Sequence, residues 1–179
     1  MKNIEERKTK WREALAHPES NTILYRIYYT PDAVDRPDLW PDKIHKRIEW
    51  AKRTYERARL RADWLADDSI PHLEVATGTE IFAEAFGCKV HRAPDQMPFA
   101  LPLLETACDF ESLRIPRLED SSLSALFDIA DALRKEFGKN AIVKLPDIQS
   151  PMDIAALIVK KDQFYIDMIS HPNAVKSLA

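Results

Sequence analysis

Two kinds of hydrophobic pattern alternate along the chain. Apolar residues that recur three and four positions apart predict helices at residues 41–67 and 123–137. Short runs rich in β-branched residues predict strands at residues 70–75 and 141–145. Because strands and helices alternate, we expect right-handed β-α-β connections in a mostly parallel sheet, which is an α/β fold.

The part of the chain before residue 70 has few strand signals. Three segments are predicted upstream of the long helix: a helix at 3–17, a strand or extended arm at 23–29, and a proline-containing loop at 30–41. The long helix carries an apolar stripe on one face and basic residues on the other. Such a basic face is typical of solvated surface, and contact with RNA or an anionic ligand is the less favoured alternative. We therefore expect an N-terminal helical extension with an extended arm at 1–69 and a second region at 70–179.

Polar residues follow the strand at 141–145. The loop after this strand contains Asp147 and Gln149, and Ser150 then begins a helix with Asp153 three residues further on. Ser-x-x-Asp is a close relative of the capping box. Ligands bind at the carboxyl ends of strands in α/β sheets and barrels, so Asp147 and Gln149 are candidates for substrate contact. The alternative is that the loop hydrogen-bonds its own backbone.

A similar sequence follows the strand at 70–75. Glu74 lies near the end of this strand, and Thr77-x-x-Glu80 has the form of a capping box that opens a short helix ending at Gly87. For Glu80 we favour the capping role over catalysis, because in such a box its carboxylate accepts a hydrogen bond from a backbone N–H. Glu74 has no such role, although an exposed strand face would also explain it.

Residues 93–120 contain four prolines and the apolar run MPFALPLL. Proline removes backbone donors and fixes φ, which is unfavourable inside a sheet. We predict that this segment packs as a loop and a short helix over an opening, and not as a sheet element.

The composition narrows the functional classes. The chain is 45% hydrophobic and 31% charged with a net charge of −3, which suits one soluble domain and does not indicate nucleic-acid binding. No apolar run approaches the roughly 18–20 residues of a membrane span, and the N-terminus lacks an apolar signal core. Three glycines are too few for a Gly-rich phosphate loop. Cys88 and Cys108 do not form a disulfide framework or a zinc motif, so we expect a reduced, cytoplasmic protein without a metal site.

Three stretches of the chain together resemble a known superfamily. They are IPHLEVATGTEIFAEAFGC, RIPRLEDSSL and LPDIQSPMDIAALIVKKDQFYIDMISHPNAV, and they are similar to the N-terminal half of the uroporphyrinogen decarboxylase superfamily. That superfamily contains cofactor-free porphyrinogen decarboxylases and zinc-dependent methyltransferases that act on methylated corrinoids or thiols. The resemblance implies a TIM (β/α)8 barrel, of which residues 70–179 would be the first half. A complete barrel takes eight strands and about 250 residues.

The chain departs from the family pattern at several positions. The Arg-Gln-Ala-Gly-Arg motif that binds substrate carboxylates is absent, and Arg26 is the lone basic residue on the early arm. The family's pyrrole-binding aspartate lies near a strand end, whereas Asp67 and Asp68 precede the predicted strand, and neither can be placed in that role. The zinc ligands of the methyltransferases lie in the C-terminal half of the barrel.

The resemblance implies a set of site residues. By their positions at strand ends, Glu74 and Asp147 are the catalytic candidates, while Arg26 and Gln149 are the substrate-binding candidates, with no metal and no cofactor. The implied activity is decarboxylation of a porphyrinogen, and methyl transfer from a corrinoid or thiol donor is the alternative. A non-catalytic binding or assembly module is the third hypothesis. We expect a small-molecule substrate, no nucleic-acid or membrane partner, and either a second copy of the chain or a missing C-terminal half as protein partner.

Two expectations can be examined directly. The strands at 70–75 and 141–145 should lie parallel in one sheet, with Glu74 and Asp147 near the same rim. The 179-residue chain alone should be inactive on uroporphyrinogen, because a half-barrel lacks most of the loops that form the site.

Overall fold

The computed structural model describes residues 4–31, 33–94 and 96–179. This part of the chain is a mixture of helices and short strands. The α-helices are α1 Ile4–Ala16, α2 Ile44–Ala62, α3 Glu80–Ala85, α4 Ser124–Phe137, α5 Pro151–Ile158, α6 Lys161–Ser170 and α7 Pro172–Leu178. The strands are β1 Leu73–Glu74, β2 Val90–His91, β3 Phe99–Ala100 and β4 Val143–Lys144, and 3-10 turns lie at Pro41–Lys43 and Ala107–Ser112.

The first sheet confirms that the two predicted strands lie parallel in one sheet, and it shows that they pair directly. β1 and β4 are parallel, with Leu73 opposite Val143 and Glu74 opposite Lys144. Each strand contains two residues, so both are shorter than the hydrophobic runs suggested. Glu74 ends β1, and Asp147 lies three residues beyond β4, so both acids follow the carboxyl ends of parallel strands, as expected.

The second sheet corrects the prediction for residues 93–120. β2 pairs antiparallel with β3, with His91 opposite Phe99 and Val90 opposite Ala100. The prolines on either side of β3 confine it to two residues, but they do not prevent it from pairing. The short helix predicted in this segment is the 3-10 turn at Ala107–Ser112.

The hydrophobic core has two parts. In the first, the predicted stripes of α2 and α4 cover β1; its buried residues are Ala51, Tyr55, Leu73, Val75, Ile129 and Leu133. In the second, the elements after β1 pack together; its largest buried residues are Leu104, Ile158, Val159, Phe164 and Val175. The parallel strand pair is therefore packed against helices, as a buried parallel sheet requires.

The basic face of α2 is less exposed than its pattern suggested. Arg47 is buried and donates hydrogen bonds to the carbonyl oxygens of Ala76 and Trp40, at 3.0 Å and 3.4 Å. Arg61 donates to the carbonyl oxygen of Tyr29 at 3.1 Å. Part of this face therefore fastens neighbouring loops to the helix. Among the described residues, no helix is both long and apolar enough to cross a membrane.

Candidate functional site

A cleft of about 430 Å³ opens between the N-terminal arm, α2 and the segment that leads into β1. Arg26 and Glu74 both line it, although they are far apart in the sequence. Aromatic side chains form much of the remaining wall: Trp11, Tyr25, Tyr28 and Tyr29. The cleft thus combines a cation, a carboxylate and flat apolar surfaces, which suits a planar, carboxylated ligand.

The arm that carries Arg26 is extended and pairs with no strand. Its backbone is held by two aspartates: the N–H of Tyr25 donates to Asp68 Oδ2 at 3.1 Å, and the N–H of Ile27 donates to Asp67 Oδ2 at 3.0 Å. Arg26 itself is exposed, and its guanidinium carbon lies 4.9 Å from the centre of the Tyr28 ring. The guanidinium is therefore accessible to an anionic ligand.

Asp67 and Asp68 are buried and could not be assigned a role from the sequence. Burial by itself would raise the pKa of Asp67, but hydrogen bonds from Ser69 and the Ile27 N–H, with the charge of Arg7, hold it below its usual value. Asp68 accepts from Lys10 Nζ at 2.6 Å. Both carboxylates are ionic anchors for α1 and the arm.

Glu74 has a cationic neighbour that the sequence did not reveal. Arg36 Nη2 lies 3.9 Å from Glu74 Oε1, and both side chains are partly exposed. An exposed pair at this distance is weak, so a ligand that donates hydrogen bonds can compete for the carboxylate.

The other two predicted site residues do not line this cleft. Asp147 is exposed in the loop after β4, while Gln149 is half-buried and its Oε1 has no hydrogen-bond partner. The capping box next to them is confirmed: Ser150 Oγ accepts the Asp153 N–H, and the Asp153 carboxylate accepts the Ser150 N–H. Asp147 and Gln149 remain predictions for a site on the same end of the sheet.

The capping box predicted at Thr77 and Glu80 is wrong. The residue before α3 is Thr79, it makes no side-chain capping bond, and Glu80 is the first helical residue. Both carboxylate oxygens of Glu80 are buried without a hydrogen-bond partner, and burial raises the pKa of this group. The Thr77-x-x-Glu80 sequence has the spacing of a capping box, but the Glu80 side chain packs in the interior and does not cap the helix.

No group of three or more His, Cys, Asp or Glu side chains in the described part of the chain is arranged to hold a metal ion. Cys88 is buried, which raises the pKa of its thiol, and Cys108 is exposed elsewhere. The described residues therefore do not provide the set of zinc ligands that the methyltransferase branch uses.

Comparisons with known proteins extend the sequence resemblance. The family described as uroporphyrinogen decarboxylase (URO-D) matches residues 75–179, which is more than half of the chain. No curated protein matches the chain. Among solved structures, a methyltransferase from Methanosarcina mazei superimposes with a TM-score of 0.59 at 14% sequence identity, covering 78% of this chain. The alignment spans 40% of that methyltransferase, and at this identity it is a likeness of fold.

Proposed function

Because the chain belongs to the uroporphyrinogen decarboxylase family, we propose that it forms the N-terminal part of a (β/α)8 barrel enzyme that decarboxylates a porphyrinogen. The parallel β1–β4 pair with its covering helices supports this, since that arrangement is the repeating unit of the barrel. The fold match to 40% of the methyltransferase chain supports a partial barrel.

The observation that carries the proposal is that Arg26 and Glu74 line one cleft with aromatic walls. A porphyrinogen presents carboxylate side chains around pyrrole rings whose N–H groups are donors. Arg26 would hold one carboxylate, since a guanidinium recognises a carboxylate in a two-pronged geometry. Glu74 would accept pyrrole N–H groups, and the tyrosine rings would pack against the pyrroles.

The same arrangement supports the chemistry. Protonation of a pyrrole carbon by a solvent-derived proton would create a cationic ring, and cleavage of the bond to CO₂ would return its electron pair to that ring. The exocyclic methylene so formed would then take up a proton and the ring carbon would lose one, so that a methyl group replaces the carboxymethyl group and one proton is consumed overall. A carboxylate placed near the ring nitrogen stabilises the developing positive charge. Glu74 would supply this charge once the substrate displaces Arg36, and Asp147 and Gln149 would contact the substrate from the β4 end.

Binding can be tested with the chain as it stands. Uroporphyrinogen would be titrated into the protein under anaerobic conditions while tryptophan fluorescence is followed, because Trp11 lines the cleft. We expect R26A and E74Q each to weaken binding about tenfold, the loss of one charge-assisted hydrogen bond. R53A removes an exposed arginine of α2 and should bind as the wild type does.

Two results would contradict the proposal. If R26A and R53A bind equally well, the cleft is not the carboxylate site. If the 179-residue chain alone releases CO₂ from uroporphyrinogen, the active site does not need further barrel loops.

Methyl transfer is the alternative activity, and the methyltransferase fold match supports it to the same degree. It predicts that the chain binds methylcobalamin, which can be followed by its visible absorption, in preference to uroporphyrinogen. Saturable binding of methylcobalamin that E74Q leaves unchanged would favour this alternative over decarboxylation.

The exposed apolar residues near β4 support a protein partner. Leu145 is 79% exposed and Ile148 is 63% exposed, on the loop that follows a strand with one open edge. We propose that a C-terminal half-barrel covers this surface, or a second copy of the chain in its place. Sedimentation of the chain with and without a C-terminal half distinguishes the two, and a monomer that binds no such half would contradict both.

A further inference from the structure

A second cavity, of about 130 Å³, lies away from the first cleft, between α2, α3 and the start of α4. Charged side chains from three parts of the chain line it: Arg47 of α2, Glu80 and Glu84 of α3, and Arg92 just after β2. The hydroxyl-bearing residues Ser122 and Ser124 complete the polar part of the wall. The rest is apolar, so the polar groups in it are poorly solvated.

Glu80 is the most unusual of these residues. It is 2% exposed, and neither carboxylate oxygen has a hydrogen-bond partner. Its carboxyl group is packed against the Cα of Gly78, where a Cβ atom would collide with Oε2. A buried carboxyl group without a partner favours its neutral form, and burial accordingly raises the pKa of Glu80.

Arg47 and Arg92 each have a buried Nε–H group without a hydrogen-bond partner. Arg47 donates hydrogen bonds from its terminal nitrogens to the carbonyl oxygens of Ala76 and Trp40, and its Nε–H is buried without a partner. Arg92 Nη2 donates to both oxygens of Glu84, at 2.8 Å and 2.9 Å, and its Nε–H is likewise buried without a partner. Buried donors of this kind are rare, because each loses its water without replacement.

The unused groups share one chemical character when Glu80 carries a proton. The Glu80 O–H and the two arginine Nε–H groups are then all donors, and none of them meets an acceptor among the described residues. The Glu84 carboxylate in the same wall is already bound by Arg92 Nη2. The charges nearby are Arg47, Arg92 and Glu84, which sum to one positive charge when Glu80 is neutral. An anion of single charge would match both the donors and the charge.

We infer that this cavity is a binding site for a small monocarboxylate, which accepts hydrogen bonds from protonated Glu80 and from Arg47 and Arg92. An acetate-sized ligand suits the volume, since several waters of about 30 Å³ each would otherwise fill it. The site is separate from the Arg26–Glu74 cleft, so it stands or falls independently of the proposed decarboxylation.

Binding at this site should depend on pH. The carboxylate ligand and a proton on Glu80 bind together, so affinity is highest at low pH. Above the pKa of Glu80 in the free protein, affinity falls by up to about tenfold per pH unit, because binding then takes up a proton.

The test is a titration of the whole chain with sodium acetate at constant ionic strength. The ¹H–¹⁵N signals of arginine Nε–H groups report directly on Arg47 and Arg92. We expect saturable shifts of two such signals, and a lower affinity at the higher of two pH values. No saturable shift at either pH would overturn the inference, and water alone would then fill the cavity. Binding of methylammonium instead of acetate would overturn it too, because the site would then hold an ionised Glu80.

Two variants and a control separate the site from general anion binding. E80Q keeps a neutral donor at every pH, so it should bind acetate with less than about a twofold change across the range. A125L fills the cavity from α4 and leaves every charge in place, so it should lose binding. D131N removes an exposed carboxylate of α4 and should match the wild type. If the acetate affinity of E80Q depends on pH as steeply as that of the wild type, Glu80 is not the group that supplies the proton. If A125L binds acetate as the wild type does, the ligand does not bind in this cavity.

Discussion

Arg7 in α1 and Asp67, sixty residues further along the chain, form a buried ion pair with 3.1 Å between Nη1 and Oδ1. The arginine also donates to the carbonyl oxygens of Ala62, Leu65 and Ser69, at 2.9 Å, 2.7 Å and 2.8 Å. Asp67 in turn accepts the N–H of Ile27 on the arm. One contact therefore fixes the position of α1, the end of α2 and the arm that carries Arg26.

Replacing Arg7 with methionine should destabilise the fold by about 3 kcal/mol, because Asp67 would be left as a buried charge without its cation. Urea unfolding followed by circular dichroism measures this difference. R12A, on the exposed face of the same helix, should change stability by no more than about 0.5 kcal/mol. Equal stability of R7M and R12A would show that the pair does not hold α1 in place.

The parallel direction of β1 and β4 could be predicted because it depends on the order of elements along the chain. Alternating strand and helix patterns permit few topologies, and right-handed crossovers leave neighbouring strands parallel. The Ser150 capping box was predictable for a related reason, since all of its partners lie within three residues. Both predictions rest on information that is local or nearly local.

Glu80 and Asp67 show where prediction from the sequence stops. Thr77 and Glu80 have the spacing of a capping box, yet Glu80 is drawn into a cavity by the packing of α2, α3 and α4. Asp67 finds its partners on segments about 40 and 60 residues away. Of the four predicted site residues, Arg26 and Glu74 share a cleft, because the extended arm, and not a sheet, carries Arg26 to it.

Acid should weaken the fold through Asp167. Its carboxylate accepts hydrogen bonds from the Ala107 N–H and the Thr106 hydroxyl, each at 2.7 Å, and from Gln163 at 2.8 Å. Burial opposes ionisation, but these hydrogen bonds prevail and lower the pKa of Asp167 to about 2. A lowered pKa stabilises the fold above the unfolded value, near 3.9, and this stabilisation is lost as the pH falls toward 2.

We therefore expect the melting temperature of D167N to depend less on pH than that of the wild type between about pH 4 and pH 2. The variant should also be less stable near neutral pH, because an amide cannot accept all of these bonds. D131N removes an exposed carboxylate and should retain the wild-type slope. If the melting temperatures of D167N and the wild type change equally with pH over this acidic range, Asp167 is not the group whose protonation weakens the fold.

The capping box at Ser150 should stabilise α5 measurably. S150A removes the oxygen that accepts the Asp153 N–H at 3.2 Å, and the expected loss is about 1 kcal/mol in the free energy of unfolding. S121A is the matched control, because the Ser121 hydroxyl makes only bonds of 3.3 Å and 3.4 Å in the turn before α4. A loss from S121A as large as that from S150A would show that the box has no special effect.

Gly78 should be required by the position of the Glu80 side chain. A Cβ at residue 78 would collide with Oε2 and lie 2.7 Å from Cδ of Glu80, so G78A must displace a carboxyl group that is enclosed by neighbours. We expect G78A to destabilise the fold by about 1–3 kcal/mol, the usual effect of overpacking. The double variant G78A/E80A should be more stable than the sum of the two single losses predicts, because removing the carboxyl group also removes the collision. Denaturant unfolding of the wild type, G78A, E80A and the double variant completes this double-mutant cycle. Strictly additive losses in the free energy of unfolding would mean that Gly78 and Glu80 are not in contact.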